Sequence, residues 1–470
     1  MWEFAGFNYP SWWNGKFASP ESTKALKQLK ATGADSATIV ATSFLDTTES
    51  SKIVSKQSTE SLENVEKAIV DAKNQGLSVL LKPHVDLSNG QWRGSLDPTD
   101  RKAFFDNYKD LILDYAKLAQ KHDAKALVIG TELVKLTGEA DKDAWLDIIK
   151  EVRQVYDGKL TYAANWDNIE NISFAEGLDF VGVDAYFPLT ANKDASVDEL
   201  VQTWTSTPEI EDIKQLTNGQ SIVDWLEQVS TDYGKPIAFT EIGYRSLDGT
   251  AAKPYEFQGG GKIDFEEQSR LYEAVFKVFG GDVPEAGNVD WFKGAQFWNW
   301  YATESQNNDP TDLDYPILGK PSELIFKEYS AQLTDGNPDG GNGNPTDPTG
   351  GGTDPVIGDV DFSVGNEWNA GFTGNIEITN TGDTAINGWK LEFDAPFEVN
   401  SIWGGKITSH EGNRYEITNV DWDGVIAAGE SIKLGFNGSN SDNMDLALSN
   451  VELNDVLIAT TDQTSNSAMV

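Results

Sequence analysis

Pro236-Ile237-Ala238-Phe239-Thr240-Glu241-Ile242-Gly243-Tyr244 is a short apolar run that closes on a single carboxylate. A charge at the end of a buried strand is costly unless it is paired or has a task. Ala126-Leu127-Val128-Ile129-Gly130-Thr131-Glu132 has the same form. Two such strands predict two carboxylates gathered at one end of a parallel sheet.

Outward from these two stretches, strand and helix signals alternate. Ala5-Gly6-Phe7-Asn8, Ala37-Thr38-Ile39-Val40 and Leu77-Ser78-Val79-Leu80-Leu81 read as the first three strands. The run ending at Glu132 is the fourth. Leu160 to Ala164 is the fifth, Phe180-Val181-Gly182-Val183 the sixth, the run ending at Glu241 the seventh, and Ala295-Gln296-Phe297-Trp298 the eighth. Ser19-Pro20 caps one intervening helix, and Asp97-Pro98 opens a longer one with Phe104, Tyr108, Ile112 and Tyr115 on its apolar face. Eight strands alternating with amphipathic helices over residues 1–334 predict an α/β fold, a (β/α)8 TIM barrel. An open doubly wound sheet is the competitor, but no GxGxxG follows a strand and no P-loop is present.

Residues 335–358 are rich in Gly, Pro, Asn, Asp and Thr and read as a flexible linker. Residues 359–460 carry short alternating runs between Asn, Gly and Asp turns, the pattern of a small all-β sandwich. Residues 461–470 read as a loose tail.

The net charge of −39 argues against a nucleic-acid partner. There is no cysteine, so no disulfide or thiolate chemistry, and three histidines without HExxH make a zinc site unexpected. Asp309, Asp312 and Asp314 crowd one loop and could bind calcium, but the spacing is not that of an EF-hand and a solvated loop is the expectation. No metal or cofactor is expected. No run of about 18 apolar residues predicts a membrane span. The N-terminus lacks a signal-peptide pattern, so the protein stays inside the cell or its signal has been removed.

In a barrel the C-terminal strand ends form the active face. That places His84, Glu132, Asn165, Trp166, Tyr186, Glu241 and Trp298 together. Cleaving a glycosidic bond needs one acid and a second carboxylate, a task that suits Glu132 and Glu241. Either glutamate could instead simply pair with a base such as Arg245 or Lys82. Trp13, Trp92, Trp166, Tyr186, Trp298 and Trp300 could stack on sugar rings or serve as core. His84 and Asn165 could touch substrate or tie down their loops.

Lys82-Pro83-His84, Ile129-Gly130-Thr131-Glu132-Leu133, Ala163-Ala164-Asn165-Trp166, Asp184-Ala185-Tyr186-Phe187-Pro188-Leu189 and Thr240-Glu241-Ile242-Gly243-Tyr244 together resemble glycoside hydrolase family 113. The resemblance implies a retaining β-1,4-mannanase-like enzyme, with Glu132 as acid/base and Glu241 as nucleophile. Many relatives in the wider clan have Asn before the acid/base where this chain has Thr131, which leaves glucan and xylan open beside mannan. A non-catalytic polysaccharide-binding protein is the competing class. The C-terminal region resembles a family 2 carbohydrate-binding module through Asn366-Glu367-Trp368, Asn387-Gly388-Trp389, Ile402-Trp403 and Val420-Asp421-Trp422. That resemblance implies a flat strip of Trp368, Trp403 and Trp422 for a cellulose-like surface, with Trp389 in the core. Together the two imply a secreted, monomeric endo-β-1,4-glycanase acting on plant cell-wall polysaccharide.

Overall fold

The computed structural model describes residues 2–281, 283, 289–307, 313–334, 358–368, 371–381, 386–420, 424–427, 429–439, 446–454 and 456–457. The chain divides into two compact units, Met1–Asn342 and Gly343–Val470. The linker expected over 335–358 lies outside the described residues except for its last residue, and so does the tail at 461–470.

In the first unit eight parallel strands close into a barrel in sequence order: β1 (Phe4–Ser11), β2 (Ser36–Leu45), β3 (Ser78–Leu87), β4 (Ala126–Thr131), β5 (Lys159–Asn165), β6 (Val181–Asp184), β7 (Ile237–Ile242) and β8 (Phe292–Phe297). The first pairs with the last, so the sheet has no free edge. The first three strands run further than expected. β3 continues through Lys82-Pro83-His84 to Leu87 because Lys82 and His84 face inward and find partners there.

Helices α1 (Pro20–Ala31), α2 (Leu62–Asn74), α3 (Arg101–Lys121), α4 (Lys142–Val152), α5 (Val197–Thr205), α6 (Glu211–Leu216), α7 (Ile222–Tyr233), α8 (Phe265–Gly280), α9 (Glu304–Asn307) and α10 (Pro321–Thr334) fill the connections. Ser19 caps α1 as expected, its hydroxyl accepting the Ser22 N–H. The helix expected to open at Asp97-Pro98 begins instead at Arg101. Asp100 caps it by accepting the Ala103 N–H, while Asp97 holds Arg101 at 2.7 Å.

The barrel interior changes character along its axis. Phe4, Leu80, Ala126, Phe180 and Ala238 form an apolar cluster towards the N-terminal ends of the strands. Because side chains alternate with period two, the next inward positions follow on the same face. There β1 offers Asn8, β3 Lys82 and then His84, β6 Asp184, and β7 Thr240. Asn8 Nδ2 donates to the Thr240 and Gln296 carbonyls, and Thr38 Oγ1 donates to Gln296 Oε1. The apolar plug thus gives way to a hydrogen-bonded floor under the mouth.

The second unit is built of antiparallel strands: β9 (Gly358–Trp368), β10 (Gly371–Asn380), β11 (Ile386–Asn387), β12 (Lys390–Asp394), β13 (Glu398–Trp403), β14 (Lys406–Glu411), β15 (Arg414–Thr418), β16 (Val425–Ile426), β17 (Ser431–Ser439), β18 (Ser449–Leu453) and β19 (Val456–Leu457). One sheet has the order β13-β17-β10-β9 and another β14-β15-β12-β18-β19. Their inner faces share a core that includes Phe362, Phe372, Trp389, Phe393, Tyr415 and Phe436. Trp389 is buried, as its expected core role requires. With no cysteine available, this packing carries the module's stability.

Candidate active site

The two glutamates reach the barrel mouth by different local routes. Glu241 lies within β7, opposite Asp184 of β6, just past a slip in the β6–β7 pairing. Glu132 follows β4, where the β4–β5 pairing slips between Val128 and Thr131. Its backbone is left-handed, with φ of 51°. Such irregularities re-aim a side chain at the end of a strand.

Their surroundings differ as well. Glu241 Oε1 accepts from Lys82 Nζ at 2.6 Å, and Oε2 accepts from the Tyr186 hydroxyl at 2.8 Å. Glu132 Oε2 accepts a long bond from Trp92 Nε1 at 3.4 Å and lies 4.0 Å from Arg93 Nε. Burial raises the Glu132 pKa. The Glu241 charge adds to that rise, while Arg93 and Lys82 oppose it. One carboxylate is therefore held by two donors, and the other is biased towards keeping a proton.

Lys82, His84 and Asp86 project from one face of β3. Arg93 ties the end of that row together: Nη1 donates to His84 Nδ1 at 2.8 Å, and Nη2 lies 2.9 Å from Asp86 Oδ1. Burial works against the Arg93 charge, but Asp86, Glu132 and Glu241 outweigh it and hold its pKa above the ordinary value. Burial, Arg93 and Lys82 hold the His84 pKa well below the imidazole range. A neutral His84 that accepts at Nδ1 carries its proton on Nε2. That atom is buried without a hydrogen-bond partner and lies 3.6 Å from Glu241 Oε1. It is a donor placed for a hydroxyl beside the Glu241 carboxylate.

The aromatic residues divide. Trp298 lies half-buried and parallel to the His84 ring, with centroids 6.2 Å apart, and Trp12 meets it edge-on. Trp166 stacks on Tyr255 at 6.3 Å. Trp92 and Trp13 are 47% and 52% exposed on their loops, which leaves faces free for a ligand. Trp300 is not part of this surface. It is fully buried against Phe7, and its Nε1 donates to the Ala25 carbonyl of α1, so it belongs to the core between barrel and helix. Asn165 Nδ2 donates to Asp167 Oδ1 at 2.5 Å and ties its own loop. Arg245 pairs with neither glutamate and instead donates to the Glu256, Gln258 and Gly259 carbonyls. Asp309 and Asp312 lie outside the described residues.

Sequence reasoning left Asp184, Arg93, Trp12 and Tyr255 out of the site. The period-two pattern running back from Tyr186 marks Asp184. Arg93 and Tyr255 sit on loops with no periodicity to announce them.

On the second unit Trp368 pairs across strands with Gly371, and Trp403 with Gly435. The β10–β17 register puts Gly371 opposite Ser439, four residues from Gly435, so both tryptophans share one face of the sheet. It is the outer face, because Leu434 and Phe436 point into the core. The glycines let each indole lie down on the sheet: a Cβ at Gly435 would come within 2.1 Å of the Trp403 ring, and one at Gly371 within 2.8 Å of Trp368. The two rows are about 13 Å apart along the strands. Trp422, the expected third member, lies outside the described residues.

Residues 6–320 match the family model of Glycoside Hydrolase Family 113, and residues 358–455 match that of the cellulose binding domain. Among solved structures, a GH113 beta-1,4-mannanase complex is 25% identical with a TM-score of 0.58, covering 70% of this chain and 99% of that one. The GH113 beta-mannanase AaManA from Alicyclobacillus acidocaldarius, in complex with ManMIm, is 24% identical with a TM-score of 0.59, covering 71% and 98%. Exoglucanase B of Cellulomonas fimi is 44% identical over 78 residues, which is 16% of this chain and 7% of that protein.

Proposed function

Since the chain belongs to glycoside hydrolase family 113, we infer that its barrel is a retaining endo-β-1,4-glycanase acting on mannan. The unlike environments of Glu132 and Glu241 carry this reading. Glu132, whose pKa burial raises, gives its proton to the glycosidic oxygen. Glu241, held by Lys82 and Tyr186, attacks the anomeric carbon. Glu132, now a carboxylate, then takes a proton from the water that releases the sugar. The mannan preference draws on the beta-mannanases among the structural relatives. Glucan or xylan cleavage by the same chemistry is the second reading. It is favoured by Thr131, whose buried hydroxyl has no hydrogen-bond partner and could read a different 2-hydroxyl.

The module would hold the enzyme on cellulose-like surfaces through Trp368 and Trp403, raising the local substrate concentration. Such work places the protein outside the cell. Among the described residues no helix is long and apolar enough to cross a membrane.

Incubation with mannan, glucomannan, xylan and soluble cellulose, followed by reducing-end measurement, tests the substrate. Proton NMR of the first product anomer tests retention. Glu241→Ala and Glu132→Gln are expected to lose nearly all turnover. Variants as active as the parent on every glycan would remove the catalytic assignment, and a first product of opposite anomeric configuration would remove the covalent route.

A further inference from the structure

The Lys82 ammonium lies between two carboxylates in a fully buried setting. Its Nζ is 2.6 Å from Glu241 Oε1 and 2.8 Å from Asp184 Oδ1, and neither the Lys82 nor the Asp184 side chain has any exposure. Asp184 Oδ1 also accepts from Thr240 Oγ1 at 2.8 Å, while Oδ2 is buried without a hydrogen-bond partner. A second carboxylate here is expensive. Burial and the Glu241 charge raise the Asp184 pKa, against the pull of Lys82, and the Glu241 part of that rise disappears once Glu241 is a neutral ester. A neutral amide of the same shape would avoid that cost. The position needs another reason to carry an ionisable group.

The reaction supplies one. In the first step a Glu241 oxygen bonds to the anomeric carbon. The glycosidic bond breaks, and its electron pair takes the Glu132 proton. Glu241 becomes a neutral ester and Glu132 a carboxylate. Lys82 loses the Glu241 counter-charge while still buried. Resting on the two-glutamate reading, we propose that Asp184 is a positioning residue that holds Lys82 against Glu241 and remains its counter-charge while Glu241 is an ester. In the second step the water oxygen bonds to the anomeric carbon and its proton goes to Glu132. The ester electron pair returns to Glu241, where Lys82 is already placed to receive the charge.

Asp184→Asn keeps the shape and removes the charge. Parent, Asp184→Asn, Lys82→Met and the double variant are compared on a dinitrophenyl β-glycoside, with kcat, KM and the folded fraction measured for each. Asp184→Asn is expected to lower kcat on the order of a hundredfold with little change in KM. The double variant should be no slower than Lys82→Met, because Asp184 acts through Lys82. Parental kcat in Asp184→Asn, single effects that multiply in the double variant, or a loss matched by unfolded protein would each overturn the proposal. A parent no faster than Glu241→Ala would instead bring down the hydrolase reading on which it rests.

Discussion

Arg93→Met gives a direct measure of how the proposed acid is tuned. Arg93 Nε is 4.0 Å from Glu132 Oε2, and its side chain is only 15% exposed. At an effective dielectric of about 20, unit charges at that distance interact by about 4 kcal/mol, or about 3 pH units as a ceiling. Water entering the space left by the guanidinium would reduce this to about 1–2 units. The sign follows from the role. A cation favours the ionised carboxylate, so removing it favours the neutral acid. Glu132 then keeps its proton to higher pH, and the basic limb of kcat/KM moves upward. The assay is a pH–rate profile on a soluble substrate, in which limb position does not depend on how much enzyme is folded. His84 loses the same neighbouring charge and becomes easier to protonate, an effect confined to the acidic limb. A basic limb that stays in place, or moves down, would refute the assignment of Glu132 as the acid tuned by Arg93.

Tyr186→Phe removes the 2.8 Å donor to Glu241 Oε2 and should lower kcat about ten- to hundredfold with the fold intact, checked by kinetics beside a thermal melt. Trp300→Ala should cost about 3–5 kcal/mol in urea unfolding while the folded fraction keeps its KM, because that ring is core and not platform. Gly435→Ala should tilt the Trp403 ring off the sheet and weaken pull-down on insoluble cellulose, with the barrel's turnover of soluble substrate unchanged.

What the sequence made legible follows periodicity. Each barrel strand is a buried apolar run, so Ile237-Ala238-Phe239 and Leu127-Val128-Ile129 announce themselves, and their terminal glutamates stand out as charges without an apolar reason. His84 and Tyr186 were reachable because they follow such runs. Trp300 misled for a related reason. Its place just after β8 suggests the mouth, but side-chain direction there is set by a tertiary bond to the Ala25 carbonyl that no local pattern encodes. Arg93 was invisible because its role depends on a loop folding back over β3 towards Asp86. The start of α3 shows a finer limit: Asp97-Pro98 reads as the opening, and only the Ala103 N–H, bonded to Asp100, shows where the helix begins.

The left-handed backbone of Glu132 has a further meaning. A non-glycine residue at that φ carries strain of about 1–3 kcal/mol, and here it adds to the burden of a carboxyl group away from water. Glycine at this position would relieve both at once. The protein should therefore become sturdier when disarmed, with Glu132→Gly melting above the parent while cleaving nothing. On the proposed role of Glu132 as the acid, this local defect in the scaffold is stability given up for turnover.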